Sequence, residues 1–308
     1  MSARRGTTAD EAAAVLASGL VVATHRRHYA VELDDGTTLD CLLKGRSMTL
    51  TCGDRVDVEQ SPTGGAIVSV APRTSLLYRS DAFKEKLIAA NVTQVLGVIA
   101  PDVPVDEHLL NRWIVAAEAE HCRFLLVLNK AELPGATVFA ARFDAYRKLG
   151  YTLVSVSAKH DVAPLRPFIE GQRSVMIGQS GMGKSTLINA LLPDAMAKVG
   201  EISEALRSGR HTTTSTRLYR LHGGDDWIVD SPGMKVFGLA HCTPETLTNA
   251  FVELRELIPR CRFRDCRHEQ EPDCAVQAAV RDRRVSAQRV ALLQELIAET
   301  ARARDPAR

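Results

Sequence analysis

In this chain Asn129-Lys130-Ala131-Glu132 comes before Gly178-Gln179-Ser180-Gly181-Met182-Gly183-Lys184-Ser185, and that order restricts the folds open to it. The second segment lies between Ser174-Val175-Met176-Ile177, which reads as a strand, and Ser185 to Leu192, which reads as a helix. A glycine-bounded loop in that setting curls its amides around phosphate groups, and the helix N-terminus adds a favourable dipole. The first segment ends the run Arg123 to Leu128, which is apolar on both faces as a buried parallel strand should be. Ligands gather at the C-terminal ends of such strands. One site built from both segments therefore needs a parallel sheet whose strand succession is permuted along the chain.

The residue types in these segments suit a nucleoside triphosphate. Lys184 balances charge on terminal phosphates, and the Ser185 hydroxyl ligates magnesium. Glu132 can accept from the ring N–H and exocyclic amine of guanine, a pair that adenine lacks. The extra methylene over the usual aspartate leaves the strength of that selectivity open. Ser157-Ala158-Lys159, after a strand candidate ending at Val156, has the makings of a second base-contacting loop. Asp230-Ser231-Pro232-Gly233 follows the strand Trp227 to Val229, so that Asp230 can hold magnesium through water and Gly233 can approach the terminal phosphate. Gly209-Arg210-His211-Thr212-Thr213-Thr214 lies between loop and strand as a switch, with Thr213 as its magnesium-facing hydroxyl. Met234 stands where a glutamine would orient the attacking water, and a thioether cannot do so. Unaided hydrolysis should be slow. His211 either positions that water or only orders the switch.

Both flanks have their own patterns. Val21 to Ala23, Tyr29 to Leu33, Thr38 to Leu43, Arg55 to Val58 and Ala66 to Val70 read as strands, with Asp34-Asp35-Gly36 as a hairpin turn. They suggest a small barrel of the OB type. Arg26, Arg27, Lys44, Arg46 and Arg55 could meet phosphates of RNA, but their charges alone favour a solvated structural surface. Pro72-Arg73-Thr74-Ser75 reads as the linker to the parallel sheet. Beyond residue 241 we expect a helix over Thr246 to Ile258 and another from Val285. Between them, Cys261, Cys266, His268 and Cys274 make a complete tetrahedral shell for one structural zinc. Buried free thiols are the alternative, and an iron–sulfur cluster is less suited because histidine replaces one thiol.

Composition sets outer limits. The 308 residues leave room for two or three domains, and the net charge of +2 does not imply nucleic-acid binding by itself. Ala3-Arg4-Arg5 and the run Ala12 to Ala23 have the outline of a leader, but Asp10, Glu11 and Ser18-Gly19 break it. No apolar stretch reaches membrane-spanning length. Seven cysteines, three of them clustered, suit a reducing cytosol.

Together these motifs resemble one family over nearly the whole chain, the ribosome small-subunit-dependent GTPases (RsgA/YjeQ). Lys86 to Val92 also looks like that family. The resemblance implies a permuted P-loop GTPase domain over 74–240, a parallel sheet with helices on both faces. An OB-type barrel over 1–73 and a helical zinc-binding domain over 241–308 would flank it. It implies base contacts from Asn129, Lys130, Ala131, Glu132, Ser157, Ala158 and Lys159, and phosphate contacts from Gly178 through Thr186. It implies magnesium with GTP at Ser185, Thr213 and Asp230. The expected activity is GTP hydrolysis stimulated by the small ribosomal subunit, in late maturation of that subunit, with rRNA contacts from the flanking domains. The expected protein is cytoplasmic and monomeric, with no membrane association. Two alternatives stand beside it: a GTP-gated RNA-binding module without significant turnover, and a different phosphate-loop enzyme such as an ATPase or small-molecule kinase.

Overall fold

Alternating apolar and polar residues from Leu16 onward build five strands, β1 (Leu16–His25), β2 (His28–Leu33), β3 (Thr38–Leu43), β4 (Arg55–Ser61) and β5 (Gly64–Val70). They run in the order β1-β2-β3-β5-β4, and β4 pairs back onto β1 to close a barrel. The β3–β5 pair is parallel and the others are antiparallel. Period-two alternation turns Val21, Val31, Cys41, Val58 and Ile67 into a barrel core sealed from solvent. The computed structural model describes residues 16–45, 48–81, 84–193, 216–221, 224–231, 239 and 241–304.

The Pro72 to Ser75 stretch is stapled in place rather than a loose linker. Arg73 donates to the fully buried Asp54 carboxylate at 2.7 and 2.9 Å, and Thr74 N donates to Asn91 Oδ1 at 2.8 Å. Asn91 Nδ2 donates in turn to the Gly53 carbonyl at 2.8 Å. Gly53 has φ 92, and a Cβ there would strike the Ala90 carbonyl, so the close approach requires glycine. An antiparallel hairpin follows, β6 (Leu76–Asp81) with β7 (Lys84–Ala90). The sequence reading did not anticipate it, because Lys-Glu-Lys-Leu-Ile-Ala-Ala is rich in helix formers.

The second half of the sheet holds β8 (Gln94–Ile99), β9 (Arg123–Leu128), β10 (Thr152–Ser155), β11 (Arg173–Ile177), β12 (Thr216–Arg220) and β13 (Trp227–Asp230). Their order is β10-β9-β8-β11-β13-β12, all parallel except β12. β11, which leads into the glycine-rich loop, thus lies between β8 and β13, although β8 and β9 precede it in the chain. β12 also pairs with β1 through Ala23–Arg217 and Thr24–Thr216, which joins barrel and parallel strands into one eleven-stranded sheet.

Helices α1 (Glu107–Ala119), α2 (Ala136–Ala141), α3 (Asp144–Lys148), α4 (Arg166–Ile169) and α5 (Lys184–Leu191) accompany the parallel strands. Asp106 caps α1 by accepting from Leu109 N at 3.0 Å. Leu109, Leu110, Trp113, Ile114 and Ala117 form its buried face, as their helical spacing predicts.

The C-terminal region contains α6 (Pro244–Asn249), α7 (Ala275–Arg281) and α8 (Ala287–Arg304). The single helix expected over Thr246 to Ile258 stops early. Phe251 is extended (φ -91, ψ 95), and short 3-10 turns at Val252–Leu254 and Ile258–Arg260 continue the chain. Tertiary packing overrides the helical pattern here: Phe251 is fully buried and the Arg289 guanidinium lies 4.9 Å above its ring. Leu247, Phe251, Leu254, Leu293 and Leu296 share one continuous core with the parallel sheet. Polar contacts reinforce that union. Arg289 pairs with Glu253 and donates to Asn111 Oδ1 at 2.6 Å, and Arg112 meets Glu299 at 2.7 and 2.8 Å.

Candidate active site and metal centre

The two motifs that stand apart in sequence meet at the C-terminal ends of the parallel strands. Asn129 N donates to the Ile99 carbonyl at 2.8 Å, which seats the residue just past β9. Its side chain is nearly fully buried. Nδ2 donates to the Met182 carbonyl at 2.9 Å, and Oδ1 accepts from Ala158 N at 3.0 Å. One amide therefore joins the phosphate loop to the Ser157-Ala158-Lys159 loop. Ala131 is held through its backbone, donating to the Val156 carbonyl at 3.0 Å.

Gly183 makes this closeness possible. Its φ is 86, and a Cβ there would collide with Asn129 Nδ2. Gly178 and Gly181 also have positive φ, with values of 158 and 84. Met182 packs its side chain into the core while its carbonyl faces Asn129. Gln179 Oε1 accepts from Asp106 N at 3.3 Å. Lys184 Nζ donates to the Gly178 and Gln179 carbonyls at 2.7 and 3.1 Å. Burial pushes the Lys184 ammonium below its ordinary pKa, against the pull of Asp230. Burial likewise raises the Asp230 carboxyl. Such an under-compensated cation and anion suit a site that expects further charge.

These loops enclose a cleft of about 570 Å³. Lys130, Glu132 and Lys159 line it together with Lys184, Ser185, Asp230 and the glycines of the phosphate loop, Gly181 and Gly183. Glu132 is exposed, and the neighbouring Ser157 hydroxyl, with smaller help from His160 and Lys159, holds its carboxyl below the ordinary range. That buried hydroxyl has no other hydrogen-bond partner among the described residues. An ionised carboxylate there can only accept, as recognition of two guanine N–H groups requires. In the same cleft Ser185 Oγ lies 3.5 Å from Asp230 Oδ2. Hydroxyl and half-buried carboxylate at that separation fit a magnesium ion, which takes oxygen ligands directly and through water. His211, Thr213, Gly233 and Met234, read as switch and water-positioning residues, lie outside the described residues, as does Arg46.

The sequence reading missed two contributors. Asp102, which follows β8, receives the Lys130 ammonium at 2.7 and 2.9 Å. Its place at a parallel-strand end was the signal available. Ser231 is buried and donates to the Met176 carbonyl at 2.9 Å, pinning the Asp230 segment to β11. In the barrel, Lys44 is paired with Glu59 at 2.6 Å and Arg55 with Asp34 at 2.8 Å, so neither is a free cation.

The cysteine cluster also assembles. Ligand atoms of Cys261, Cys266, His268 and Cys274 all lie within 4.8 Å of one another. A tetrahedral zinc with bonds of about 2.3 Å to sulfur and about 2.0 Å to nitrogen requires S···S edges near ~3.8 Å and S···N edges near ~3.5 Å. The Cys261–Cys274 sulfurs are 3.9 Å apart, and His268 Nδ1 lies 3.7 and 3.5 Å from them. The donor set thus fits zinc. Cys274 caps α7, with Gln277 N donating to its sulfur at 3.4 Å. His268 has φ 60, and its carbonyl accepts from Gln277 and Gln294 side chains at 2.5 and 2.6 Å, which fixes the imidazole's approach. Burial lowers its pKa and favours the neutral ring that a metal needs.

Comparison with known proteins gives a consistent picture. The family model described as RsgA GTPase matches residues 70–240. A "Small ribosomal subunit biogenesis GTPase RsgA" from Nitrosospira multiformis is 48% identical over 282 residues, covering 91% of this chain and 90% of its own. One of the same name from Paraburkholderia phymatum is 45% identical over 304 residues, covering 96% of each. The crystal structure of YjeQ from Thermotoga maritima superposes with a TM-score of 0.70 at 27% identity, over 93% of this chain and 99% of its own. YloQ, described as a circularly permuted GTPase, matches in fold with a TM-score of 0.66 at 24% identity, over 97% and 98% of the two chains.

Proposed function

From the fact that this chain belongs to the RsgA GTPase family, we propose how its residues divide the work of a GTPase in biogenesis of the small ribosomal subunit. The observation that carries the reading is the Asn129 amide, which binds the phosphate loop and the Ala158 loop at once. Base-reading and phosphate-holding groups then line one cleft. Glu132 accepts from guanine, with Lys159 beside it. The loop from Gly178 to Thr186 wraps the phosphates. Lys184 leaves its two carbonyl partners for the terminal phosphates, and added negative charge restores its ordinary basicity. Ser185 and Asp230 would hold magnesium, which supplies charge neutralisation on the phosphates during transfer.

Water must be positioned from outside the described cleft, since Met234 cannot do so. His211, or a group on the small subunit, takes that role in this reading, and Thr213 and Gly233 close over the terminal phosphate. The same need accounts for stimulation by the subunit. Cys261, Cys266, His268 and Cys274 would hold one structural zinc, which leaves no open position for catalysis. The barrel's strand order and its parallel β3–β5 pair support an OB-type reading. We divide the chain at residues 73 and 240 by connectivity and assign rRNA contacts to the two flanking parts. We place the protein in the cytoplasm as a monomer.

The experiment that tests this is steady-state GTP hydrolysis with and without purified small subunits, for the native chain and Lys184→Ala. Stimulation of the native chain and none of the variant is expected. A native rate unmoved by subunits would favour a GTP-gated binding module. Competition by ATP as strong as by GTP would favour another phosphate-loop enzyme.

A further inference from the structure

Lys130 is held in an unusual way. Its backbone sits in the left-handed region, φ 61, which a lysine seldom adopts and which marks a site worth explaining. Its ammonium has three donors, and all three are engaged. Two go to the Asp102 carboxylate at 2.7 and 2.9 Å, and the third goes to the Gly181 carbonyl at 2.8 Å. The ammonium is therefore spent on protein partners. What Lys130 offers the cleft is its alkyl stem, whose Cε passes within 3.8 Å of where a Gly183 side chain would begin. A four-carbon stem stretched flat between strand end and phosphate loop is an apolar wall for a planar base.

Two partners anchor the ammonium at the tip of that stem. One is Gly181 of the phosphate loop and the other is Asp102, which lines the same cleft. Without Asp102 the ammonium would keep one protein acceptor and would swing toward water or toward Glu132, which lines the same cleft. We propose that Asp102 is a positioning residue: it draws Lys130 across the phosphate loop, keeps its charge off Glu132, and so sets the affinity of the cleft for guanine nucleotides. This rests on the reading of the cleft as a guanine-nucleotide site. Asp102 is about half exposed and its pair is open to solvent screening, so the effect is graded rather than absolute.

The test is titration of GDP and of a non-hydrolysable GTP analogue into the full chain, for native protein, Asp102→Asn, Lys130→Ala and the double variant. Asp102→Asn should weaken both nucleotides by roughly two- to fivefold, the upper part of the range of an exposed ion pair. Asp102→Glu should recover part of the loss. In the Lys130→Ala background, Asp102→Asn should have no further effect, because Asp102 acts through the lysine. In turnover the change should appear in KM more than in kcat, and raised salt should shrink it. Thermal melts of each variant check that all remain folded. Native binding with an unchanged Asp102→Asn, or an undiminished effect without Lys130, overturns this inference alone. A native chain that binds no GDP overturns the reading beneath it.

Discussion

Asn129 Nδ2 donates to the Met182 carbonyl at 2.9 Å across a separation of 53 residues. Its Oδ1 is engaged with Ala158 N as well, so one buried amide saturates two loops. Asn129→Ala would leave a buried carbonyl and a part-buried N–H unpaired, the first worth about 1–3 kcal/mol and the second less. Fluorescent GDP titration should then show a loss of roughly ten- to hundredfold in affinity. Affinity within about twofold of native would contradict the arrangement.

Glu132 faces the cleft as an ionised acceptor. Xanthine has a carbonyl where guanine has the exocyclic amine, so Glu132→Gln should weaken GDP and strengthen XDP. A relative change of roughly a hundredfold is expected, because a polar group misplaced against a base edge is left unpaired. Parallel GDP and XDP titrations read it directly. A variant that keeps its preference for GDP would remove Glu132 from base recognition.

The zinc reading predicts one equivalent of zinc per chain by elemental analysis and its loss in Cys274→Ser. Because metal affinity in such a shell is folding free energy, chelation should lower Tm by roughly 10 °C. A chain purified without metal that melts identically with and without zinc would argue for plain buried thiols.

His241 Nε2 lies 3.4 Å from Cys242 Sγ and 3.6 Å from Glu120, and its ring packs 4.5 Å from that of Tyr78. These partners, Cys242 first and then Glu120, raise its pKa to about 9. A histidine raised on folding stabilises fully below its unfolded pKa of about 6.5, and that contribution fades as pH climbs through the folded value. Denaturant titrations from pH 6 to pH 10 should show stability falling across this window. His241→Gln should flatten that part of the profile, and an unchanged slope would refute the assignment.

Arg289 and Glu253 are both about nine-tenths buried, and Arg289 also serves Asn111 on α1. Arg289→Ala strands a buried carboxylate, and breaking such a pair costs about 3–5 kcal/mol. Urea denaturation should register that loss. A value under about 1 kcal/mol would mean that Glu253 finds water or another partner.

Much of the site was legible because its residues are set by chemistry rather than by packing. Asn129 and Asp230 fall at strand ends whose apolar runs are plain in the sequence, Lys184 closes a glycine-rich loop between strand and helix, and the thiol spacing of Cys261 to Cys274 marks its own cluster. The strands of the barrel and sheet were equally visible through their periodicity. What escaped depended on contacts distant in sequence. The β6–β7 hairpin has helix-forming residues that only pairing makes extended. The break at Phe251 accompanies burial of its ring beneath Arg289, far along the chain. Asp102 has no neighbouring motif, and its meaning comes from Lys130 reaching it across the sheet end.

The β1–β12 pairing has a consequence for how the molecule can be taken apart. β12 meets β13 along one side, and on the other its backbone is satisfied by Ala23 and Thr24. A nucleotide-binding fragment cut away from the barrel would carry a raw strand edge, ready to recruit a second copy of itself. The barrel thus doubles as a cover for that edge.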